Sequence, residues 1–137
     1  MATDLAKIQA LIVDDNRTFM SILISMVKTI GFRSIATADN GKDALQLLQT
    51  AKMPFDLVVC DWEMPKASGL DLLKSMRAAR LHAAFLMVTG RADPESVVLA
   101  KQHGVDGYIV KPFSPAQLET KLRATLQSAA SARGRAA

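Results

Sequence analysis

Apolar and polar positions along this chain follow two alternating rhythms. Short stretches at Ile8–Val13, Asp56–Cys60, Ala84–Val88 and Gly107–Val110 are continuously apolar or nearly so, while the segments between them repeat apolar residues every three or four positions. Strands buried on both faces give the first rhythm, and a helix with one apolar stripe gives the second. Arg33–Thr37 supplies a fifth, weaker strand candidate. Phe19, Leu23, Met26 and Ile30 form one helical stripe, and Leu118, Leu122 and Leu126 another. The punctuation agrees. Gly31 and Gly104 suit the left-handed position that closes a helix, and Asp93-Pro94 and Ser114-Pro115 each offer a capping side chain followed by proline at the first helical position.

Strands that alternate strictly with helices predict an α/β fold with a parallel sheet. Right-handed crossovers leave few topologies, and the doubly wound order 2-1-3-4-5, with helices on both faces, is the expected one. Its switch point lies between strands one and three. Four of the runs end in polar residues: Leu11-Ile12-Val13 in Asp14-Asp15, Leu57-Val58-Val59-Cys60 in Asp61, Leu86-Met87-Val88 in Thr89, and Tyr108-Ile109-Val110 in Lys111-Pro112. Ligands of open α/β sheets sit beyond the carboxyl ends of the strands. Three carboxylates, a hydroxyl and an ammonium are therefore expected to converge there.

Crowded carboxylates repel one another, and a divalent cation resolves the conflict. An all-oxygen donor set from Asp14, Asp15 and Asp61 favours Mg²⁺ over Zn²⁺, and neither His82 nor His103 lies near the strand ends. A carboxylate can attack phosphorus, while Mg²⁺ and an ammonium neutralise charge on the transferring oxygens. Asp61, the central one, is the candidate nucleophile. Lys111 would pair with a phosphoryl oxygen, and Thr89 would donate its hydroxyl to another. Taken singly these residues read as a helix cap, a turn residue and a solvated lysine. Their joint placement at one end of strands one, three, four and five carries the assignment. The Lys111–Pro112 bond is expected to be cis, since X-Pro bonds reach that form far more easily than others, and this would aim the lysine inward.

Composition narrows the picture. A chain of 137 residues, 50% of them apolar, fits one domain with its own core. After Gln127 the sequence becomes small and polar without a periodic face, which predicts a frayed helix end and a flexible tail over 128–137. The formal charge is +4, and Arg133 and Arg135 in the tail, expected to be solvated, contribute to it. So small an excess, with no basic block interleaved with aromatics, argues against nucleic acid as a partner. The lone Cys60 sits in an apolar run and reads as a buried thiol, so a cytoplasmic protein is expected. Met1 to Ala10 lacks a signal core, and no apolar stretch approaches the roughly 18 residues of a membrane helix; neither secretion nor membrane insertion is predicted. Met20, Met26, Met53, Met64, Met76 and Met87 read as core or near-core filler, and His82 and His103 as surface or helix-end residues.

The motifs Val13-Asp14-Asp15, Asp61-Trp62-Glu63-Met64-Pro65, Val88-Thr89-Gly90 and Gly107-Tyr108-Ile109-Val110-Lys111-Pro112-Phe113 resemble those of response-regulator receiver domains, in particular the stand-alone, chemotaxis-type, CheY-like ones. The four stand in that family's order and at its separations. The resemblance covers residues 5–127 and implies a flavodoxin-like (βα)5 fold. It implies that Asp61 takes a phosphoryl group from a phosphohistidine on a sensor histidine kinase or a histidine phosphotransfer protein. Asp15, Asp61 and the backbone carbonyl of Glu63 would hold Mg²⁺ directly, and Asp14 would act mainly through metal-bound water. Thr89 would move toward the phosphoryl oxygens and Tyr108 would rotate into the space vacated. An output face formed by the fourth helix, fifth strand and fifth helix would then change toward a downstream protein target, in a monomer or a weak phosphorylation-dependent dimer. Such a protein is a signalling switch with self-catalysed phosphoryl transfer and hydrolysis, not a turnover enzyme.

Two positions depart from the chemotaxis pattern. Glu63 stands where those proteins usually carry asparagine, and Arg91 where they often carry an acid. Both are expected to flank the path of a water attacking the acyl phosphate, and a Glu63–Arg91 pair would lengthen the phosphorylated lifetime. The alternative is two solvated charges. Trp62, next to the acceptor, would report on the site if it lies at its edge. Three other functions compete. A haloacid dehalogenase-type phosphatase shares the aspartyl nucleophile, Mg²⁺, Thr and Lys, but its nucleophile lies near the first strand with a second Asp two residues on, and here Trp62-Glu63 follows Asp61. A flavin-binding protein of similar fold needs a phosphate-cradling first loop, which Asp14-Asp15-Asn16 opposes. A phosphorelay intermediate, a phosphate sink or a receiver cut from a longer regulator keeps the chemistry and changes the role.

Overall fold

A computed structural model describes residues 3–136, with side chains described through Ala132. After a single 3-10 turn at Leu5–Lys7, strands and helices alternate: β1 Gln9–Val13, α1 Arg17–Ile30, β2 Ser34–Ala38, α2 Gly41–Thr50, β3 Leu57–Asp61, α3 Gly69–Ala78, β4 Ala84–Thr89, α4 Pro94–Gln102, β5 Gly107–Val110 and α5 Pro115–Ala136. All strand pairs are parallel, and the sheet order is β2-β1-β3-β4-β5. The doubly wound topology is the one the alternation predicts.

Burial explains why the three central strands are so plainly written. β3 and β4 are buried at every position and β1 at four of five, because helices cover both faces. On one face α1 and α5 pack Leu23, Val27, Leu118, Leu122 and Leu126 onto Ile12, Val59 and Leu86. On the other, α2, α3 and α4 set Ala44, Leu48, Leu73, Met76 and Ala100 against Leu11, Val58, Cys60 and Phe85. β2 is only partly buried, which accounts for its weak apolar signal.

The caps act as the sequence leads one to expect. Asp93 accepts the Ser96 N–H at 2.9 Å with Pro94 opening α4, and Ser114 Oγ accepts the Gln117 N–H at 3.1 Å ahead of α5. Gly31 and Gly104 have φ of 133° and 92°, open to glycine without a Cβ penalty. Gly107 is required by contact instead: a Cβ there would collide with Thr125 Oγ1 on α5.

Three expectations change. α5 does not end near Gln127 but continues to Ala136, because Ala129, 2% exposed, extends the Leu118, Leu122, Leu126 stripe and alanine is the best helix former. The side chains of Arg133 and Arg135 lie outside the described residues. Met53 is not core filler: it is 67% exposed on the connection from α2 to β3. Finally, Asp61 and Thr89 are the last residues of their strands rather than the first beyond them, so parallel pairing fixes their backbones. Among the described residues no helix is long and apolar enough to cross a membrane.

Candidate functional site

Strand register assembles the site. Val13 pairs with Cys60 and Asp61 with Val88, so Asp14 and Asp61 follow side by side and Thr89 lies one step further along the neighbouring strand. Thr89 in turn pairs with Val110, and the Lys111 N–H donates to the Thr89 carbonyl at 2.8 Å. One carboxylate oxygen from each of Asp14, Asp15 and Asp61 lies within 4.8 Å of the others. The loop after β3 is drawn tight over them. Gly69 at the start of α3 donates its N–H to the Trp62 carbonyl at 3.0 Å, and a Cβ at Gly69 would strike the Asp61 carbonyl oxygen.

The acids differ in their surroundings. Asp14 is 2% exposed; its Oδ1 accepts the Asn16 N–H at 2.8 Å and its Oδ2 has no hydrogen-bond partner. Asp61 is 5% exposed, and its Oδ1 sits 3.4 Å from Lys111 Nζ, an ion pair without hydrogen-bond geometry. Asp15 is exposed. Burial raises the pKa of both inner carboxyls above 3.8; the Asn16 N–H opposes this at Asp14, and Lys111 opposes it at Asp61. Buried carboxylate oxygens left without donors, together with a third acid at the rim, fit a hard divalent cation.

Lys111 is held from behind. Its Nζ lies 4.2 Å from the centroid of the Phe19 ring, which packs edge-on against Phe113 at 6.1 Å. The stripe on α1 marks Phe19 only as a packing residue, and its ring against the ammonium is visible only in three dimensions. The Lys111–Pro112 peptide is cis.

Thr89, Tyr108 and Glu63 all meet at Arg91. Thr89 Oγ1 accepts the Arg91 N–H at 3.0 Å, and the Tyr108 hydroxyl donates to the Arg91 carbonyl at 2.8 Å. The Arg91 guanidinium bonds both Glu63 oxygens, at 2.5 and 3.4 Å, and its Cζ lies 5.3 Å from the Trp62 ring centroid. Trp62, 6% exposed, meets Tyr108 edge-on at 6.2 Å. Tyr108 is therefore a half-buried strand aromatic that also ties down the loop after β4. Burial raises its pKa above 10.0.

A sheet of order β2-β1-β3-β4-β5 that gathers three acids, a hydroxyl and a lysine at its switch point has the build of a receiver domain. Residues 10–123 match the response regulator receiver domain, and the chain belongs to that family. It is 46% identical over 114 residues to "Chemotaxis protein CheY-3" of Vibrio cholerae, a match covering 82% of this chain and 86% of that one. It is 43% identical over 114 residues to "Chemotaxis protein CheY" of Pseudomonas aeruginosa, covering 82% and 90%. Among solved structures, a chemotaxis CheY4 from Vibrio cholerae superposes with a TM-score of 0.76 at 30% identity over 84% of this chain and 95% of that one. A CheY-like receiver domain from Methanospirillum hungatei gives 0.79 at 27%, over 90% and 97%. The chain is thus a CheY-like receiver domain of the two-component type. Such domains are signalling proteins rather than classical enzymes, they bind Mg²⁺ at an acidic pocket, and they interact with histidine kinases and downstream targets.

Proposed function

We propose that Asp61 accepts a phosphoryl group from a phosphohistidine on a sensor histidine kinase or phosphotransfer protein, and that the acyl phosphate switches the α4-β5-α5 face toward a protein target. The burial of Asp61 beside Lys111 and two further acids supports this best. An Asp61 carboxylate oxygen forms the new P–O bond as the P–N bond breaks, and the histidine nitrogen leaves with the bonding pair. Asp15, Asp61 and the Glu63 carbonyl would hold Mg²⁺, with Asp14 beside them, and the ion would supply positive charge for the transferring oxygens. Lys111, backed by Phe19, pairs with one of those oxygens. Thr89 gives up its bond from the Arg91 N–H and turns its hydroxyl toward another, and Tyr108 moves into the space released.

This is a population shift: the phosphoryl group biases two arrangements of the loop after β4 by its difference in affinity for them. The Glu63–Arg91 pair stands at the mouth and slows attack of water on the acyl phosphate, lengthening the signal. Titration with Mg²⁺ and beryllium fluoride, a phosphoryl stand-in, tests the reading by Trp62 fluorescence. A saturable change that Asp61→Asn abolishes is expected; the same change in Asp61→Asn, or none in the parent, overturns it.

A further inference from the structure

The two ends of α4 are tied to different neighbours. Ahead of its N-terminus the loop is tied through Arg91 to Thr89 Oγ1, to the Tyr108 hydroxyl and to Glu63, all groups at or beside the acceptor site. Beyond its C-terminus the turn into β5 is tied instead to Arg77 of α3. Arg77 Nε and Nη2 donate to the Gly104 carbonyl at 3.3 and 3.0 Å, and Nη2 meets Asp106 Oδ2 at 2.9 Å. Its Nη1 donates to the Leu81 and Ala83 carbonyls at 2.9 and 3.1 Å. Asp106 Oδ2 also accepts the Phe85 N–H at 2.9 Å, so the same carboxylate locks the turn to β4.

Between these ends α4 is lightly seated. Its buried residues are Ser96 and Ala100, both small, while Val98 and Leu99 are 52% and 38% exposed. A helix with little buried apolar area and two unequal ends moves at the end whose ties can be exchanged. We propose that Arg77 is a positioning residue for the switch: it pins the end of α4 and the start of β5, so rearrangement at Thr89 and Tyr108 swings the N-terminal half of α4 about a fixed C-terminal end. The inference rests on the acceptor function proposed for Asp61. Along α4 and the turns that flank it, this limits the altered surface to residues 90–99 and keeps 101–106 as a fixed platform two residues before Tyr108.

Amide hydrogen exchange of the full chain, with and without Mg²⁺ and beryllium fluoride, tests this. In the parent protein the reagents are expected to change exchange on the order of fivefold across 90–99 and to leave 101–106 unchanged. In Arg77→Gln the reagent-dependent change is expected to spread to 101–106. A stability role alone would raise exchange equally with and without the reagents, so the difference between the two conditions is the decisive readout. A parent response that already includes 101–106, or an Arg77→Gln response confined to 90–99 whatever the melting temperature, overturns the pin. Absence of any response in the parent overturns the acceptor reading and the pin with it. Should Arg77→Gln fail to fold, Asp106→Asn, which keeps an acceptor for the Phe85 N–H, and Arg77→Lys, which cannot reproduce the planar fork, are read by the same criteria.

Discussion

The helices that precede and follow β5 are seated in opposite ways. α5 lays Leu118, Leu122, Leu126 and Ala129 into the core, and all of these are at most 8% exposed. α4 offers the sheet Ser96 and Ala100 and leaves Val98 and Leu99 in solvent. Apolar burial of the α5 kind contributes roughly 1.5–3 kcal/mol per large side chain and cannot be traded away piecemeal. Polar ties of the kind that hold the loop ahead of α4 contribute about 1 kcal/mol each and, lying beside the acceptor site, can be exchanged for others at small cost. The comparison teaches where a receiver of this build can store stability and where it can move.

Leucine truncation should break that comparison most strongly. Leu122→Ala is expected to destabilise the domain by about 2–5 kcal/mol through lost burial and the cavity left behind. Val98→Ala on the exposed side of α4 should stay within about 0.5 kcal/mol. Urea unfolding followed by circular dichroism measures both. Equal losses would show that α4 is anchored as firmly as α5, and the unequal roles assigned to them would fall.

The acceptor itself contributes a smaller and oppositely signed effect. Folded Asp14 and Asp61 both titrate above 3.8, so the native state retains protons that the unfolded chain has lost. Stability without metal therefore falls as pH rises from below 3.8 through the folded values, and remains lowered at neutral pH. Asp61→Asn removes one of the two buried charges. It should raise the midpoint of thermal unfolding at neutral pH without metal by about 4 °C, taking the relief as about 1 kcal/mol, and flatten the fall with pH. A lower midpoint at neutral pH would mean that the Lys111 ion pair outweighs burial. Mg²⁺ should stabilise the parent protein and lose that effect as the acids protonate.

Much of this was legible in the residues because the central strands are buried on both faces, which leaves no polar interruption between Leu11 and Val13, Leu57 and Cys60, or Ala84 and Val88. The same burial makes the polar residue at each strand end conspicuous, and parallel pairing then brings Asp14, Asp61, Thr89 and Lys111 together. What could not be read depends on side chains that cross between elements. Arg77 looks like any charge on α3 until Gly104 and Asp106 arrive beneath it from the far end of α4. Phe19 looks like stripe until Lys111 is laid over its ring. The last turns of α5 escape the pattern because Ala129 is too small to register as a stripe residue, and the exposure of Met53 escapes it because residue type alone does not say which methionines face water.

Glu63 and Arg91 form an intermediate case, because each lies two residues past neighbouring strand ends and their meeting follows from the pairing of β3 with β4. Their side chains are about half exposed, at 52% and 47%, which places the pair among those worth about 0–1 kcal/mol. The effect on stability should accordingly be slight. The effect proposed for the acyl phosphate is a separate matter, since it depends on where the guanidinium is held, bonded to Glu63 and 5.3 Å from the Trp62 ring centroid, and not on the stability the pair contributes. In a Glu63→Asn, Arg91→Ala variant the phosphoryl group should be lost up to about fivefold faster if the pair's full ~1 kcal/mol opposes the attack. Following radiolabelled acyl phosphate over time measures it, with the Trp62 response to beryllium fluoride confirming an intact site. An unchanged rate would leave the pair as two surface charges with no part in the lifetime of the signal.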